Sequence, residues 1–361
     1  MQIVRIGLDL AKYVFEVHGV DENEAVGLRK TLRRDAVVSF FADLPPCVVG
    51  MEACSSAHYW AKVLSELGHE VRLMSPQFVT PYVKSNKSDR NDAEAICEAV
   101  GRPSMRFVPQ KSADQLALQA VHRVRQRLVS DRTRLVNQIR GLLAEHGIAI
   151  ARDISRLRHA LTKIVDGDRS GLGDLILDIV RDARDELEDL DRRIASYNRR
   201  LKTLFQSDEM CRRIGEIEGI GPITATALVA AAGDRTCFKN GREFAASRGT
   251  RAFAASRGTR AFGASLGLVP RQRSSGGKTR LLGIFKRGDR YIRTLMIHGA
   301  RALLGRAGGK QDTRSQWIGR MRERRHPNVV AVALANKNAR IVWSILARGE
   351  EYRHPTVATA A

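Results

Sequence analysis

Cysteine is scarce in this chain, and its spacing argues against a metal site built on thiolates. The five cysteines are Cys47, Cys54, Cys97, Cys211 and Cys237, and none of them forms a Cys-x-x-Cys pair. A structural zinc site needs such closely spaced thiolates, and disulfide frameworks are typical of small secreted domains. We therefore expect neither a zinc site nor structural disulfides, and we expect a reducing compartment.

Long apolar runs and nucleotide-binding loops are also missing from the sequence. No apolar run approaches the roughly 20 residues that a membrane-spanning helix requires, and no signal peptide precedes Ile3. No Gly-x-x-x-x-Gly-Lys-Ser/Thr loop is present. The sequence therefore predicts a soluble, cytoplasmic protein that uses no nucleoside triphosphate.

Acidic residues are heavily outnumbered by basic ones. The chain has 39 Asp and Glu against 61 Lys and Arg, a net charge of +22 and a pI near 10.5. From residue 206 onward there are 29 basic and 11 acidic residues, and 13 of these basic residues lie within 242–293. No amphipathic basic helix that would suit a membrane surface is evident there. The charge therefore predicts a nucleic-acid partner.

Four acidic residues stand out against this basic background. Asp9 and Glu52 each end an apolar, strand-like run. Asp89 and Asp92 lie three residues apart, so a helix there places them on one face. Carboxylates at strand ends and on one helix face can converge on a single pocket, where they stay ionised only if cations offset their repulsion.

Such a pocket would suit Mg²⁺ or Mn²⁺, because both ions prefer hard oxygen ligands. Two such ions about 3.5–4 Å apart form the clamp used for phosphoryl transfer on nucleic acids. The alternative is that each Asp is an ordinary turn residue or a helix cap. The β-β-β-α-β-α order of the predicted elements favours the metal site, because a ribonuclease H-like fold assembles its carboxylates in that order.

The chain divides into regions of different pattern. Residues 1–108 alternate strand and helix patterns, which predicts an α/β sheet covered by helices. The predicted strands are 3–9, 13–20, 25–30, 46–52 and 70–75, and the predicted helices lie near 35–43, 56–68 and 89–100. We expect a helical coiled-coil region over 109–206, a mostly helical basic domain over 207–350 and a tail over 351–361.

A seven-residue apolar repeat runs through the helical region. Ser112 and Gln115 form a capping-box pattern at its start. The repeat comprises Val121, Val124, Leu128, Leu135 and Leu142, and then, after a break at 166–173, Ile176, Ala183, Leu187, Leu190, Ile194, Tyr197, Leu201 and Leu204. Two interpretations stay open, an intermolecular coiled coil and an antiparallel hairpin within one chain.

The basic region opens with a segment that resembles a helix-hairpin-helix, at 213–225. Its glycines allow a tight turn, and the backbone N–H groups that start the second helix can hold a phosphate. A plain helical turn is the alternative.

Further along, the nonapeptide RGTRAFAAS at 248–256 is followed by RGTRAFGAS at 257–265. We interpret 248–265 as a recent tandem duplication inserted into the basic domain.

A pair of hydroxyls, Ser274 and Ser275, precedes two glycines just after this duplication. We expect them on a mobile, glycine-rich loop. Serine becomes a nucleophile only with a base or with charge stabilisation of the developing oxyanion, which nearby arginines can supply. The alternative is a loop that only grips phosphate. The basic residues expected to contact nucleic acid are Arg271, Arg273, Lys278, Arg280, Lys286, Arg287, Arg290 and Arg293.

Taken together, these motifs resemble a known family. The segments GLDLAK (7–12), MEA (51–53) and KSDRNDA (87–93) resemble the DEDD domain of the transposases of insertion sequence family 110. The segments GIGP (219–222), LGLVPRQRSSGG (266–277) and KRGDRYIR (286–293) resemble that family's C-terminal transposase domain. The Ser-Ser-Gly-Gly form and the length without the 18 inserted residues are most similar to its 1111 subgroup.

The resemblance implies a RuvC-like ribonuclease H fold and a serine nucleophile in the second domain. The implied Mg²⁺ ligands are Asp9, Glu52, Asp89 and Asp92. We map the nucleophile to Ser275, the serine next to the glycines, with Ser274 as the second choice. The resemblance also implies a structured non-coding guide, the bridge RNA, and a tetramer that binds this RNA and two DNAs.

The leading hypothesis is a Mg²⁺-dependent, RNA-guided recombinase that joins DNA through a phosphoserine. One rival is a RuvC-like nuclease that hydrolyses DNA with water, and another is an RNA- and DNA-binding protein inactivated by the duplication. A route through Tyr291 is disfavoured, because no set of arginine and histidine is apparent beside it in the sequence.

Overall fold

The computed structural model describes residues 2–84, 86, 88–105, 107–167, 171–232, 266–275, 278–284, 286, 288–308 and 310–354. The duplicated segment 248–265 and the last residues of the tail, 355–361, lie outside this described part. The fold within it consists of a mixed sheet at the N-terminus and a mostly helical remainder.

Six strands form the N-terminal sheet. They are β1 (Arg5–Leu10), β2 (Val14–Val20), β3 (Val26–Arg33), β4 (Val48–Glu52), β5 (Glu70–Met74) and β6 (Phe107–Val108). Their order across the sheet is β3-β2-β1-β4-β5-β6. β1, β4 and β5 are parallel, whereas β2, β3 and β6 pair antiparallel to their neighbours. The predicted mixed α/β architecture is confirmed, and it fits a RuvC-like fold.

Helices cover both faces of this sheet. They are α1 (Val37–Ala42), α2 (Ala57–Glu66), α3 (Pro76–Val79) and α4 (Asp89–Val100), with single 3-10 turns at Arg34–Ala36 and Thr80–Tyr82. Side chains alternate along β1, so Ile6 and Leu8 are buried in the core that includes residues of α1 and α2. Gly7 and Asp9 face the opposite side, against which α4 packs.

A long helical hairpin follows the sheet. It consists of α5 (Ala113–Glu145), α6 (Ile154–Asp166) and α7 (Asp174–Ser207). The predicted capping box is present, since Ser112 and Gln115 bond reciprocally at the start of α5. Arg125 donates to Asn198 at 2.6 Å, and Arg132 pairs with Asp191 at 3.0 Å. Residue numbers rise on α5 as they fall on α7, so the two helices are antiparallel within one chain.

The hairpin interior departs slightly from the predicted repeat. Leu128, Leu135, Leu187 and Leu201 are buried as the repeat predicts, and so are Leu190 and Ile194. Leu143 is fully buried instead of Leu142, whereas Leu204 is 39 % exposed. A straight helix drifts away from a strict seven-residue period, which explains a shift of one position near each end. An additional coil between chains stays a prediction.

The C-terminal part is a helical cluster with one small hairpin of strands. Its elements are α8 (Glu209–Gly215), α9 (Pro222–Ala232), β7 (Pro270–Ser275), β8 (Lys278–Ile284), α10 (Arg290–Arg306), α11 (Thr313–Arg324) and α12 (Pro327–Arg348). The short turn between α8 and α9 contains Gly219 with a φ of +85°, and a Cβ on Gly299 of α10 would lie 1.9 Å from its carbonyl oxygen. Glycine at both positions therefore allows α10 to lie against this turn. The sequence predicts this turn, and phosphate binding by it stays a prediction.

The expectation that no segment has the length and apolar character of a membrane-spanning helix is wrong for one helix. Helix α12 is long and apolar enough, by length and composition, to cross a membrane. Many of its apolar residues, among them Val330, Leu334, Val342 and Leu346, are buried in the core that it forms with α8, α9 and α10, whereas Val329 near its start is 51% exposed. Its apolar character is therefore that of a core helix.

Candidate active site

Three of the four predicted carboxylates converge at one edge of the sheet. Carboxylate oxygens of Asp9, Asp89 and Asp92 all lie within 4.8 Å of one another. Asp9 lies near the end of β1, and the other two lie in the first turn of α4. We call this group the carboxylate centre. It joins a strand end to a helix face, as the spacing of the residues predicted.

Local sequence positions the helical pair. Ser88 caps α4, since its side chain accepts a hydrogen bond from the backbone N–H of Asn91 at 3.3 Å. The cap fixes the first turn, which presents Asp89 and Asp92 at the positive end of the helix dipole, where carboxylates are favoured. The same field offsets part of the repulsion between these two charges.

Two glycines bring α4 close enough to the sheet to complete the centre. A Cβ on Gly7 would lie 2.1 Å from the carbonyl oxygen of Ala93, and one on Gly50 would lie 2.7 Å from the Cβ of Val100. Any side chain at these positions would push α4 away from β1 and β4. Sequence analysis overlooked both glycines, although an isolated glycine within a strand pattern indicates a close approach of this kind.

The electrostatics of the centre are those of crowded carboxylates. Partial burial, followed by the charges of Asp89 and Asp92, raises the pKa of Asp9 from 3.8 to about 6. Below about pH 6 a proton on Asp9 relieves the repulsion among the three groups, and above it the three charges face one another. A divalent cation would relieve the same repulsion more effectively, and carboxylate oxygens are its preferred ligands. The donor set therefore fits such an ion.

Glu52 lies beside the centre but outside the group of three. It ends β4, and the β1–β4 register pairs Leu8 with Met51, so Asp9 and Glu52 follow at neighbouring strand ends. Desolvation, and then the charges of Glu52 and Asp9, raise the pKa of the Cys54 thiol. Glu52 is therefore close to the centre, and its role as a ligand stays a prediction.

The two serines lie in a strand rather than in the loop that the sequence suggested. The backbone of Ser274 and Ser275 belongs to β7, where they pair with Thr279 and Lys278 of β8. The physical reason is that two consecutive glycines, 276 and 277, are a residue pair that favours a two-residue hairpin turn, so the segments on either side of them can pair. The serines thus sit on a paired scaffold at the end of a strand.

Most of the predicted basic contacts are exposed on or near this hairpin. Arg273 lies opposite Arg280 across the strands, and both are exposed, as are Arg271, Lys286 and Arg290. Like charges opposite each other destabilise a sheet unless an anion lies between them. The side-chain surroundings of Lys278 and the whole of Arg287 lie outside the described part of the chain.

Arg293 is a correction to the predicted nucleic-acid contacts. It is 9 % exposed, and its guanidinium donates to the carbonyl oxygen of Leu266 at 3.1 Å. Burial lowers the pKa of Arg293. An arginine inside a basic motif need not face solvent, and this one holds the start of the segment that leads into β7.

A buried polar network, missed by sequence analysis, joins the helical hairpin to the C-terminal part. Nδ1 of His122 on α5 lies 3.0 Å from the Tyr291 hydroxyl, and Nε2 lies 3.1 Å from Oγ1 of Thr226. Oγ1 of Thr226 donates to the carbonyl oxygen of Pro222 at 2.7 Å. It therefore accepts from the His122 Nε2–H, so Nδ1 accepts from the tyrosine. Burial lowers the pKa of His122 to about 4, and the ring is neutral at pH 7.

The expectation that Tyr291 has no arginine and histidine beside it is wrong. An arginine and a histidine do lie beside it, Arg125 and His122, both supplied by α5. Burial nevertheless raises the pKa of Tyr291, which the charge of Arg125 opposes only in part. The Tyr291 hydroxyl hydrogen-bonds to His122 and so connects α10 to α5. Because the hydroxyl is engaged in this contact, a tyrosine nucleophile stays disfavoured.

Comparison with known proteins bears directly on this arrangement. A DEDD transposase model of IS110 matches residues 6–148, and a model described as transposase IS116/IS110/IS902 family matches 211–261 and 250–317. A Pseudomonas aeruginosa protein named "Probable family 20 transposase" is 51% identical over 354 residues, which cover 98% of this chain and 99% of that protein. The chain belongs to the IS110 family of transposases.

Other members of the family are similar over most of their length. The transposase for insertion sequence element IS1111A of Coxiella burnetii is 42% identical, with 96% of this chain and 91% of that protein covered. The transposase for IS1328 of Yersinia enterocolitica is 40% identical, with 96% and 98% covered. The two matches to the second IS110 family model overlap at 250–261, within the duplicated segment, as expected when one region of the model meets two copies.

Membership in the IS110 family settles the class of chemistry. A transposase is an enzyme that cuts and joins DNA, so DNA is its substrate. A DEDD domain also implies dependence on a divalent metal, which agrees with the donor set of the carboxylate centre.

Proposed function

We propose that this transposase is a Mg²⁺-dependent, RNA-guided DNA recombinase that moves an insertion sequence through a phosphoserine intermediate. The observation that carries the proposal is the convergence of Asp9, Asp89 and Asp92 from elements far apart in the sequence. The serine hairpin with its exposed arginines supplies the second chemical group. The site is then composite, with carboxylates from the N-terminal sheet and a hydroxyl from the C-terminal part.

The carboxylates would hold Mg²⁺, with Mn²⁺ as a substitute, and Glu52 would join them as a fourth ligand. Bound there, the ions supply Lewis-acid stabilisation of charge on a phosphodiester. The residues of the chain do the rest. Asp9, ionised above about pH 6, would present its carboxylate oxygens, and α4 fixes the spacing between the strand carboxylate and the helical pair.

Ser275 is the proposed nucleophile. Its hydroxyl oxygen loses its proton and forms a bond to phosphorus while the bond from phosphorus to one strand's sugar oxygen breaks, and that sugar oxygen takes up one proton, so the proton count is unchanged. A hydroxyl of the strand to be joined then reverses the step and releases the serine. Each bond broken is replaced by another phosphodiester, so the reaction needs no nucleotide hydrolysis. The exposed arginines of the hairpin would clamp the phosphate oxygens.

The domain arrangement follows from this proposal. Residues 1–108 would form the RuvC-like domain, 109–206 the helical coiled-coil region, 207–350 the transposase domain that carries the serine, and 351–361 a tail. Because the two chemistries lie on different domains, the helical hairpin between them would set their relative position. A tetramer bound to guide RNA and two DNAs, in the cytoplasm at the nucleoid, would bring a serine and a carboxylate centre to each strand.

Removing the RNA tests whether target selection requires a guide RNA. The charge of +18 beyond residue 205 offers more basic surface than a short DNA site needs. We expect nuclease-treated protein to lose target selection and to regain it when the co-purified RNA, identified by sequencing, is added back. The measurement is recombination between a donor and a pool of targets. Correct target choice by RNA-free protein would show that the guide is not required.

A hydrolytic nuclease is the nearest rival within the same enzyme class. It would use the same carboxylates with an activated water and no serine. The two mechanisms differ in the product before joining, because the serine route leaves a covalent protein–DNA adduct and hydrolysis leaves free cleaved ends. The paired position of Ser275 on β7, among exposed arginines, favours the adduct.

The duplicated nonapeptide favours a second rival, a protein that binds RNA and DNA without joining strands. Residues 248–265 add four arginines shortly before Leu266, whose carbonyl Arg293 holds. Misplacement of a catalytic group by about 1 Å can cost about a hundredfold in rate. We therefore expect deletion of 248–265 to raise strand transfer and to weaken non-specific DNA binding at low salt.

Both forms should be compared with the same RNA and DNA at matched salt, with thermal melting as the check on folding. A full chain that binds with a steep salt dependence but never joins strands in Mg²⁺, whereas the deletion form does, would mean that the duplication inactivates the enzyme. A folded deletion form that is less active than the full chain would show that the duplication has become part of the working site.

A further inference from the structure

Two exposed tyrosines follow the strand ends that carry the predicted metal ligands. Tyr13 lies in the turn between β1 and β2, shortly after Asp9, and is 69% exposed. Tyr59 lies in the first turn of α2, shortly after Glu52, and is 55% exposed. Because β1 and β4 are parallel neighbours, both tyrosines follow strand ends at the same edge of the sheet. Neither ring gains the burial that usually stabilises an aromatic side chain.

Direct contacts join these tyrosines into one surface. The backbone N–H of Arg34 donates to the carbonyl oxygen of Tyr13 at 2.9 Å, and the Arg34 guanidinium lies 5.2 Å from the centroid of the Trp60 ring. The Tyr59 ring meets the Trp60 ring edge-on at 5.2 Å. Nζ of Lys12 lies 5.3 Å from the centroid of the Tyr13 ring. We call Lys12, Tyr13, Arg34 and Tyr59, with Trp60 beneath them, the aromatic–cationic surface.

The cations of this surface are not neutralised by acids. Among the described residues, neither Lys12 nor Arg34 has a carboxylate oxygen within 4 Å, whereas the neighbouring Arg33 pairs with Asp35 at 3.1 Å. The positive charges of Lys12 and Arg34 therefore remain available, and each already lies over an aromatic ring. Ring faces next to uncompensated cations match a ligand that combines flat aromatic groups with negative charge.

We propose that the aromatic–cationic surface binds an unpaired stretch of the DNA strand whose phosphodiester lies at the carboxylate centre. The bases would stack on Tyr13 and Tyr59, and Lys12 and Arg34 would contact the phosphates between them. In a duplex the base faces are covered by their neighbours, so rings can stack only on unpaired nucleotides. The inference rests on the proposed function, because the carboxylate centre is what places a DNA strand at this edge.

The test measures binding of a fluorescent oligothymidine, and of a matched duplex, by anisotropy in EDTA and at fixed salt. Stacking on an aromatic side chain contributes a free energy equivalent to about tenfold or more in affinity per base. We expect Tyr13→Leu and Tyr59→Leu each to weaken oligothymidine binding about tenfold, and to change duplex binding much less. Tyr13→Phe and Tyr59→Phe keep the ring and are expected to bind as the wild type does.

Leu175→Ala provides the matched control, because Leu175 is 75% exposed on α7, away from the sheet edge. It should leave both affinities unchanged, and thermal melting should show that all variants fold. Unchanged oligothymidine binding in folded Tyr13→Leu and Tyr59→Leu would overturn the proposal, and so would an equal loss for duplex DNA. Since no metal is present, this result is independent of whether Asp9 variants retain strand transfer, which tests the proposed function.

Discussion

Replacing Asp9 with asparagine should lower strand transfer by about a thousandfold or more. The carboxylate centre loses one of its three converging ligands, and metal stabilisation of charge at a phosphate contributes several kcal/mol, with each ~1.4 kcal/mol equal to tenfold in rate. Asp92→Asn and Glu52→Gln are expected to have effects of the same kind. Recombination by Asp9→Asn at the wild-type rate in Mg²⁺ would show that the carboxylate centre does not hold the catalytic metal.

The same variant should be more stable than the wild type when no metal is present. The pKa of Asp9 is raised to about 6 from 3.8, so its contribution to folding is most favourable below pH 4 and is lost as pH rises through 6. Asparagine carries no charge at any pH. At pH 8 without metal, Asp9→Asn should therefore melt at a higher temperature than the wild type, and the difference should shrink towards pH 4.

Added Mg²⁺ should reverse this order, because an ion that binds only the folded wild type raises its melting temperature. The matched control is Glu145→Gln, which removes the same charge from an exposed position on α5. It should show neither the pH-dependent gain nor the loss of response to metal. A metal response that persists undiminished in Asp9→Asn would place the ion elsewhere.

Replacing Ser275 with alanine should abolish the covalent protein–DNA adduct and with it strand joining. The change removes the only atom that forms the new bond to phosphorus, and a methyl group offers no substitute. Ser274→Ala is the matched control, one residue away on the same strand, and should only slow the reaction. An adduct that survives Ser275→Ala and disappears with Ser274→Ala would assign the nucleophile to Ser274.

The carboxylate centre could be predicted because it depends on local patterns. Asp9 near a strand end, and Asp89 and Asp92 three apart on a helix, need only a parallel sheet and one covering helix to meet. The glycines that permit this approach, Gly7 and Gly50, were overlooked because their role depends on which helix packs against them.

Other features could not be predicted, because they depend on contacts between distant parts of the chain. His122 and Tyr291 are 169 residues apart, and nothing near either one indicates the other. Arg293 lies within a basic motif, so its charge suggested an exposed contact, yet packing against the segment at Leu266 buries it. The sequence gives the type of a residue but not the neighbours that decide whether it faces solvent.

The most direct test of the central claim is to identify the residue that becomes linked to DNA. Wild-type protein would be reacted with its RNA and DNA in Mg²⁺, denatured, digested with nuclease and protease, and the peptides fragmented by mass spectrometry. We expect a nucleotide on Ser275, formed only when metal is present and absent from the Asp9→Asn protein. A nucleotide on Tyr291, or free cleaved DNA ends with no modified peptide, would contradict it.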